Sequence, residues 1–582
     1  MSRNVAELII ATLEHAGAKR CYGLPGDTLN LVTDAIRRST IRFIHVRHEE
    51  AGGFAAGADA LVSDELVVCA GSCGPGSLHF INGLFDAHRN RAPVVLIASQ
   101  LGRDELGTDF PQEVDFKPLY QQASVFCQEV RTAEAAGRII AMAVQAALNK
   151  RGVAVVILPA DVASLSTDEA PRQIHRATSV LTPVLDEIAK AVEIISRGRK
   201  IAIYGGSGCQ HAHEEVIALA AKLKAPVAYT SRAKDFLEPN NPFAVGMTGI
   251  FGVKSGFDAL MECDTLILLG CDFAWRQFYP GKATIIQIDT EPTHLGRRHP
   301  IDLGLAGDVG PTLQLLLPGL VERADTGFLE KAGKQRFETY HQLEKRAVAS
   351  TEAIHPQYVT TCLAEAANED AIWTADGGTP MVWLLRHVSA TGRNRTLLSL
   401  THGSMANALP YALGAAAARP DCQVICLSGD GGLTMLLGDL LTAVQEELNI
   451  KVVVFNNGSL AFVDLEQKVE GLLNTYTDLR NPDFGALARA MGLWGERVEE
   501  AADLPGAITR LLEQDGPALL DVVVDGYELV VPPHVSAGNV GGTALYAAKA
   551  LLAGEGREAA RLITHNLPVA RPAPRTQIKQ ES

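Results

Sequence analysis

The sequence predicts an α/β protein that contains three doubly wound parallel-sheet domains and ends in a helical tail. Short apolar runs alternate with amphipathic helical patterns in three successive blocks, and such alternation is typical of βαβ units. The 582 residues are 47% hydrophobic and 20% charged, a composition that supports several packed cores. We expect domains at residues 1–182, 183–340 and 341–530, followed by a tail at residues 531–582.

The predicted strands are short, apolar and rich in β-branched residues. The first block contains "RCYGL" (20–24), "IRFIHV" (41–46), "LVVCAG" (66–71), "PVVLIAS" (93–99) and "AVVILP" (154–159). The second contains "KIAIYG" (200–205), "PVAYT" (226–230), "TLILLG" (265–270) and "TIIQID" (284–289), and the third contains "AIWTAD" (371–376), "TLLSL" (396–400), "QVICLSG" (423–429), "KVVVFNN" (451–457) and "ALLDVVV" (518–524). Parallel sheets of this kind bind ligands at the carboxyl ends of their strands.

Charge and cysteine usage exclude several classes of protein. The net charge is −15, from 52 basic and 67 acidic residues, and the sequence has no long basic block, which argues against nucleic acid as a partner. The ten cysteines lack the C-x2-C spacing of zinc sites, so we expect reduced thiols in a cytoplasmic protein. The N-terminal stretch contains Glu7 and Glu14 and resembles an amphipathic helix rather than a signal peptide. No apolar run is long enough to span a membrane.

A glycine-flanked carboxylate follows the predicted strand 423–429. Asp430 precedes the helical pattern "LTMLLGDLLTAVQEEL", and the next strand ends at Asn457. If the two strands are neighbours, one right-handed βαβ unit brings both side chains to the same sheet edge, with backbones about 5 Å apart. Carboxylate and amide oxygens suit Mg²⁺, while Gly431 and Gly432 allow backbone N–H groups to approach a diphosphate. The pattern predicts a Mg²⁺–diphosphate site; the alternative is a tight turn in which Asp430 caps the helix.

Several motifs together resemble the pyruvate oxidase family of thiamine diphosphate enzymes. "GDG", a helix and then "NN" is similar to the thiamine diphosphate signature, and "RHEE" places Glu49 where the family has a glutamate. "CAGSCGPG" (69–76) and "THGSMANA" (401–408) match longer stretches, and the resemblance covers about residues 1–530. It is closest to the quinone-dependent branch, which also carries flavin. The resemblance therefore implies two thiamine diphosphate-binding domains that flank a central FAD-binding domain.

The resemblance also implies roles for residues around the thiamine. Glu49 would hydrogen-bond N1′ of the pyrimidine from another subunit, so the enzyme would be a homodimer or homotetramer; taken alone, Glu49 reads as a solvated charge. Met405 would hold the cofactor in its V shape, although a methionine is more often a core filler. The implied Mg²⁺ ligands are Asp430, Asn457 and the carbonyl of Ser459. The implied thiamine diphosphate contacts are Glu49, Gly403, Ser404, Met405, Asp430, Gly431, Gly432, Asn457, Gly458, Ser459, Leu460, Ala461, Phe462 and Val463, with Gly378 and Thr379 as a further diphosphate loop.

The middle block resembles the FAD domain of the same family. "GSGC" (206–209) follows a strand but lacks the third glycine of a dinucleotide fingerprint. "GMTGIFG" (246–252), "GCDFAW" (270–275) and "QID" are the stronger matches, and Asp289 would bind a ribose hydroxyl or serve as an ordinary helix cap. The implied FAD contacts are Thr248, Gly249, Ile250, Phe251, Cys271, Asp272, Phe273, Ala274, Trp275 and Asp289.

The implied reaction is oxidative decarboxylation of pyruvate to acetate and CO₂, with electrons passing through FAD to a quinone such as ubiquinone. Phe462 matches an aromatic residue that closes over the active centre, with plain packing as the alternative. The substrate loop departs from the family, because "TDFPQE" presents Pro111 where relatives carry a phenylalanine, with Phe110 beside it and Gln112 retained. Three other functions stay open: an oxygen-dependent pyruvate oxidase, an acetolactate synthase-like carboligase and a non-catalytic nucleotide-binding regulator.

The C-terminal tail has a helical pattern that "GEG" interrupts. Residues 543–567 have a modest apolar face, and a Pro-rich basic stretch follows them. The quinone-dependent branch binds lipid through its tail, so the resemblance implies peripheral docking on the inner face of the cell membrane. The alternative is a helix packed on the protein surface.

Overall fold

A computed structural model describes residues 3–528, 530, 533, 545–546 and 549–550, and within them it contains three six-stranded parallel sheets. The strands are β1 (Arg3–Asn4), β2 (Arg20–Gly23), β3 (Arg42–His45), β4 (Val67–Gly71), β5 (Val94–Gln100), β6 (Phe126–Glu129), β7 (Val153–Pro159), β8 (Ser166–Thr167), β9 (Ile201–Gly205), β10 (Val227–Tyr229), β11 (Ala244–Met247), β12 (Thr265–Leu269), β13 (Thr284–Asp289), β14 (Leu303–Ala306), β15 (Ile372–Ala375), β16 (Arg395–Leu398), β17 (Val424–Gly429), β18 (Ile450–Asn456), β19 (Trp494–Val498) and β20 (Ala518–Val523). The predicted class, three α/β domains with parallel sheets, is confirmed.

Helices connect the strands and cover both faces of each sheet, as parallel pairing requires. They are α1 (Val5–His15), α2 (Asn30–Arg37), α3 (Glu49–Ser63), α4 (Pro75–Leu78), α5 (Ile81–Arg89), α6 (Phe116–Tyr120), α7 (Ala133–Lys150), α8 (Ala160–Ala163), α9 (Leu185–Arg197), α10 (His213–Leu223), α11 (Lys234–Leu237), α12 (Lys254–Glu262), α13 (Val309–Leu316), α14 (Gly327–Arg346), α15 (Pro356–Ala366), α16 (Thr379–His387), α17 (Ala408–Ala418), α18 (Asp430–Met435), α19 (Leu440–Gln445), α20 (Ala461–Val469), α21 (Phe484–Ala490) and α22 (Leu504–Leu512).

Each sheet has a point at which the chain reverses its direction of travel across the sheet. The orders are β3-β2-β4-β5-β7-β6, β11-β10-β9-β12-β13-β14 and β16-β15-β17-β18-β20-β19, and a separate antiparallel pair joins β1 to β8. The reversals lie between β2 and β4, between β9 and β12, and between β15 and β17. Because connections leave such a point in opposite directions, a crevice opens there at the carboxyl ends of the strands. The sequence motifs of the middle and third domains lie beside these crevices.

The first and third domains share one hydrophobic core. The apolar helix α17 is almost entirely buried and packs against α3. Gly414 of α17 lies so close to the Ala55 carbonyl of α3 that an added Cβ would clash with it. The start of α3, where Glu49 lies, is close in space to the loop that precedes α17, since Asn82 hydrogen-bonds both Glu50 and Ser404.

The segment after Asp430 differs from its predicted form. The sequence suggests one continuous helix, whereas a 3-10 turn over Leu437–Asp439 separates α18 from α19. Gly438 disfavours a continuous helix, and the Asp439 carboxylate accepts a hydrogen bond from the Arg47 backbone N–H at 2.8 Å instead of facing solvent. The 3-10 turn therefore carries a carboxylate of the third domain that is hydrogen-bonded to the backbone of the first domain.

Two predictions about membranes stand apart from the fold. In the part of the chain that the structure describes, no helix is long and apolar enough to traverse a bilayer. Apart from residues 545–546 and 549–550, the predicted helical tail at residues 543–567 lies outside the described residues. Lipid binding and the location in the cell stay predictions.

Candidate active site

Asp430 and Asn457 converge at the carboxyl ends of β17 and β18, which are neighbouring strands as the sequence predicts. Asp430 Oδ1 accepts a hydrogen bond from Gly431 N at 2.8 Å, and Asp430 Oδ2 accepts one from Gly458 N at 2.7 Å. The Asn457 side-chain oxygen accepts from Ser459 N at 3.0 Å. The carboxylate therefore reaches across from one strand end to the turn that follows the other.

The Asp430 carboxylate is buried without a compensating charge. It is 2% exposed, and among the residues that the structure describes its hydrogen-bond donors are uncharged amides. Burial raises the pKa of Asp430, and the amide donors oppose that shift. Gly429 holds the N-cap position of α18, so Asp430 does not cap the helix as the alternative interpretation required. A buried carboxylate without a cationic partner fits a bound metal ion, which would supply the missing charge.

A narrow cleft beside Asp430 is formed by two glycine-containing turns at the reversal point of the third sheet. An added Cβ on Gly432 would clash with Asp376 Oδ2, and one on Gly431 would lie 2.6 Å from Leu460 Cδ2, so a larger residue at either position would displace these side chains. Bare backbone N–H groups at the start of a helix suit a phosphate. The cleft is lined by Asp376, Gly377, Gly378, Thr379, Pro380, Met405, Gly429, Asp430, Gly431, Gly432, Phe455, Asn457, Ser459, Leu460, Ala461, Phe462 and Val463.

Asp376 ties three chain segments together behind this cleft. Its Oδ1 accepts a hydrogen bond from Ala408 N at 2.9 Å, and its Oδ2 accepts from Gly429 N at 3.2 Å and from the Ser428 hydroxyl. Burial raises the pKa of Asp376 to about 6, and these hydrogen bonds lower it. Through Ala408, Asp376 fixes the loop that carries Met405 into the cleft.

Four of the predicted thiamine contacts lie outside the cleft lining, namely Glu49, Gly403, Ser404 and Gly458. Gly403 and Ser404 precede Met405 in the loop, while Gly458 contributes its backbone N–H to Asp430. Among the site residues that the sequence analysis did not single out, Asp376 and Asn481 make side-chain hydrogen bonds that shape the site; the others are Gly377, Pro380, Gly429 and Phe455 of the cleft lining. Asp376 carried a signal, since it ends a predicted strand in front of a glycine pair. Asn481 lies in an irregular loop, where no periodicity marks it.

Glu49 is the first residue of α3 in the first domain. Its carboxylate is 6% exposed, and its Oε2 lies 3.0 Å from His79 Nδ1. The His79 ring stacks on His48 with a centroid distance of 4.8 Å. Glu49 does not line the described cleft, so a contribution to the cleft of another subunit stays a prediction.

A larger cavity of about 630 Å³ opens at the reversal point of the middle sheet. Gly206 and Gly208 approach Gly270 so closely that an added Cβ on either would clash, which leaves backbone exposed to the cavity. The predicted flavin residues on its wall are Ile250, Phe251, Asp272, Phe273, Ala274, Trp275 and Asp289, whereas Thr248, Gly249 and Cys271 lie outside the lining. Its charged walls suit an anionic ligand, because Arg and Lys outnumber Asp: Arg89, Arg91, Lys150, Arg151, Arg232, Arg297 and Arg298 against Asp272 and Asp289.

The cleft and the cavity share a wall made by two aromatic residues. Phe462 lines the cleft, Phe251 lines the cavity, and their ring centroids lie 6.1 Å apart. The partly buried Arg386 on α16 donates hydrogen bonds of 3.0 Å to the carbonyls of Phe251 and Gly252. The first residue of α16, Thr379, lines the cleft, and Phe251 lines the cavity. The hydrogen bonds of Arg386 therefore connect the helix at the cleft to the wall of the cavity.

The predicted substrate loop lies in the first domain and does not line the cleft. Gln112 accepts a hydrogen bond from the Cys73 thiol at 3.3 Å and packs against Gly74. Phe110 is 42% exposed, and Pro111 is exposed beside it. The effect of Pro111 on the substrate stays a prediction.

Comparison with known proteins gives matches along the whole chain. Models of thiamine pyrophosphate enzymes match it in order: the N-terminal TPP binding domain at residues 3–119, the central domain at 188–316 and the C-terminal TPP binding domain at 376–522. The chain is 32% identical to a putative thiamine pyrophosphate-containing protein, YdaP, of Bacillus subtilis, over 94% of this chain and 96% of that protein.

Two further relatives have names that state a reaction. The chain is 30% identical to a pyruvate oxidase of Lactiplantibacillus plantarum, over 89% of this chain and 88% of that protein. It is 29% identical to the large subunit of acetolactate synthase isozyme 2 of Escherichia coli, over 92% of this chain and 98% of that protein. These two identities are nearly equal, so they do not choose between the two reactions.

Proposed function

Because the chain belongs to the thiamine pyrophosphate enzyme family, we propose that it oxidatively decarboxylates pyruvate to acetate and CO₂, using thiamine diphosphate, Mg²⁺ and FAD. The electrons pass from FAD to a quinone. The observation that carries the proposal is the wall shared by the cleft and the cavity, where Phe251 and Phe462 are in contact. A carboligase has no need for two cofactors in such close relation, whereas an oxidase must move electrons between them.

In this proposal, Asp430, Asn457 and the Ser459 carbonyl hold Mg²⁺, and the backbone of Gly431 and Gly432 receives the diphosphate. Their support is the uncompensated Asp430 carboxylate and the glycine-lined turn beside it. When bound, thiamine diphosphate supplies the electron sink that makes loss of CO₂ from a 2-keto acid possible.

The protein's own contribution to the chemistry is orientation and proton control. Met405 would contact the bound cofactor, and Phe462 would exclude water from the site of reaction. Glu49 from a second subunit holds a proton at N1′ of the pyrimidine, and the active enzyme is therefore at least a homodimer. A carboxyl group in a water-poor site is suited to that task.

FAD is proposed for the cavity of the middle domain. The volume of about 630 Å³ lies within the usual range for cofactor sites, and the surplus of arginine and lysine matches a diphosphate. Phe273 and Trp275, with ring centroids 5.1 Å apart, offer an apolar surface to a planar ring system. When bound, FAD accepts two electrons and hands them to the acceptor.

The reaction is tested with full-length protein supplied with thiamine diphosphate, MgCl₂ and FAD. We expect anaerobic pyruvate to bleach the visible flavin absorbance, and we expect no bleaching when either thiamine diphosphate or Mg²⁺ is left out. Addition of a ubiquinone analogue to the reduced enzyme should restore the colour, with acetate as the product. Acetolactate formed while the flavin stays oxidised would establish the carboligase instead, and rapid reoxidation by oxygen alone would establish the oxygen-dependent oxidase.

The tail is proposed to dock the enzyme on a lipid bilayer, where quinones reside. We expect a variant that lacks residues 543–582 to lose sedimentation with anionic phospholipid vesicles and turnover with a membrane-soluble ubiquinone. Turnover with ferricyanide, a water-soluble acceptor, should stay within about twofold of the parent protein. Unchanged vesicle binding and quinone turnover would show that the tail is an ordinary surface segment.

A further inference from the structure

A loop of the third domain returns across the turn that follows β18. Leu460 N donates a hydrogen bond to Thr477 O at 2.8 Å, and Leu479 N donates one to Gly458 O at 2.8 Å. We call residues 474–481 the bracing loop. These two hydrogen bonds attach the bracing loop to the turn that carries two of the three proposed metal-binding groups.

The bracing loop ends with a side chain that contacts the proposed metal site directly. Asn481 Nδ2 donates a hydrogen bond to Asp430 Oδ2 at 2.8 Å and another to Asn456 Oδ1 at 3.0 Å. An amide nitrogen has two hydrogens, so both are used. One side chain thereby connects the residue after β17 to the last residue of β18.

The far side of this connection is anchored in the sheet. Asn456 Nδ2 donates to Asp521 Oδ1 at 3.0 Å, and the fully buried Asp521 also accepts from Phe484 N and from Arg497, both at 3.0 Å. Asn481 is thereby linked to the sheet, because its partner Asn456 is hydrogen-bonded to the buried Asp521.

The donors to Asp430 are unevenly divided between its two oxygens. Among the described residues, Oδ2 accepts hydrogen bonds from Gly458 N and from Asn481, whereas Oδ1 accepts one from Gly431 N, and the Asn457 backbone N–H also faces the carboxylate. A carboxylate offers about four acceptor directions, so the remaining direction lies on Oδ1. Loss of the Asn481 amide would free a direction on Oδ2 and remove the constraint on the rotation of the carboxylate.

We propose that Asn481 is a positioning residue for Mg²⁺: its amide holds Asp430 so that Oδ1 faces the cation. The proposal rests on the proposed function, since it assumes the Mg²⁺–diphosphate site. Groups that orient a metal ligand typically change metal affinity by about 10- to 100-fold when removed. We therefore expect Asn481→Ala to raise the Mg²⁺ concentration at half-saturation by about 10- to 100-fold, with turnover recovered at saturating Mg²⁺.

The experiment measures binding rather than activity alone. Full-length protein is stripped with EDTA, and the binding of thiamine diphosphate is followed by calorimetry as MgCl₂ is added. Asn481→Leu, which has nearly the same shape but no donor, accompanies Asn481→Ala in case the smaller side chain prevents folding. The matched control is Asn474→Ala, because Asn474 belongs to the bracing loop and, among the described residues, hydrogen-bonds with Asp478 and Thr477 of that loop rather than with Asp430.

A large shift in both Asn481 variants, with Asn474→Ala within about twofold of the parent protein, supports the proposal. An unshifted Mg²⁺ titration in Asn481→Ala or Asn481→Leu overturns it. An equal shift in Asn474→Ala also overturns it, since order in the loop rather than the amide would then set the affinity. If the parent protein binds no thiamine diphosphate in the presence of Mg²⁺, the proposed function fails. If the parent protein binds it and the Asn481 variants bind it equally well, the proposed function stands and the positioning role of Asn481 fails.

Discussion

Asp430→Asn is expected to lose Mg²⁺-dependent binding of thiamine diphosphate by at least about 100-fold, and turnover with it. The replacement keeps the shape of the side chain but removes the carboxylate charge at the carboxyl ends of β17 and β18, where the cation needs an anionic ligand. It also places an NH₂ group or a neutral oxygen opposite backbone N–H donors. Calorimetric titration of thiamine diphosphate, with and without MgCl₂, measures the effect.

The matched control is Asp439→Asn, in the same segment of the chain. Asp439 is also a buried carboxylate, but it accepts from Arg47 N and from the Thr442 hydroxyl, and it does not line the cleft. This variant should lower the midpoint of thermal unfolding while leaving the Mg²⁺ titration unchanged. Normal Mg²⁺-dependent binding by Asp430→Asn would show that the metal lies elsewhere.

Glu49→Gln is expected to bind thiamine diphosphate and Mg²⁺ nearly normally but to turn over pyruvate about 10²- to 10⁴-fold more slowly. The amide retains the shape and a hydrogen bond to the pyrimidine but cannot exchange a proton, and general acid–base groups contribute rates of this order. Steady-state turnover together with calorimetric binding separates the two effects, since a loss confined to turnover indicates a proton function.

Glu50→Gln controls for the loss of a negative charge at the start of α3. Glu50 is the next residue in the same turn, and its Oε1 accepts a hydrogen bond from Asn82 at 2.6 Å rather than facing His79. We expect its turnover to stay within a few-fold of the parent protein. Equal losses in the two variants, or parent-like rates in Glu49→Gln, would contradict the assignment of Glu49.

The convergence of Asp430 and Asn457 was predictable because both residues follow strands that one βαβ unit joins. Local pattern sufficed there, as it did for the three parallel sheets. Asp376 was harder to assign, since its role depends on Ala408, some distance along the chain, and on β15 lying next to β17. Asn481 was out of reach, because its position depends on how an irregular loop crosses a turn.

The remaining features of the site that the sequence did not predict depend on contacts between domains. The pairing of Phe251 with Phe462 depends on how the middle domain docks on the third, and no periodicity encodes that. The same holds for Thr248 and Cys271, which the motif places among flavin contacts but which lie 1% exposed behind the cavity wall. Sequence motifs identify which segments form a site more readily than which side chains face the ligand.

The most direct measurement is a crystal structure of the protein grown with thiamine diphosphate and Mn²⁺ in place of Mg²⁺, with anomalous scattering used to locate the metal. We expect one strong peak per chain within coordination distance of both Asp430 and Asn457, with the diphosphate beside Gly431. A metal peak elsewhere, for example among His48, Glu49 and His79, would contradict the proposed Mg²⁺ site at Asp430 and Asn457. An ordered cofactor that contacts neither Asp430 nor Asn457 would contradict it as well.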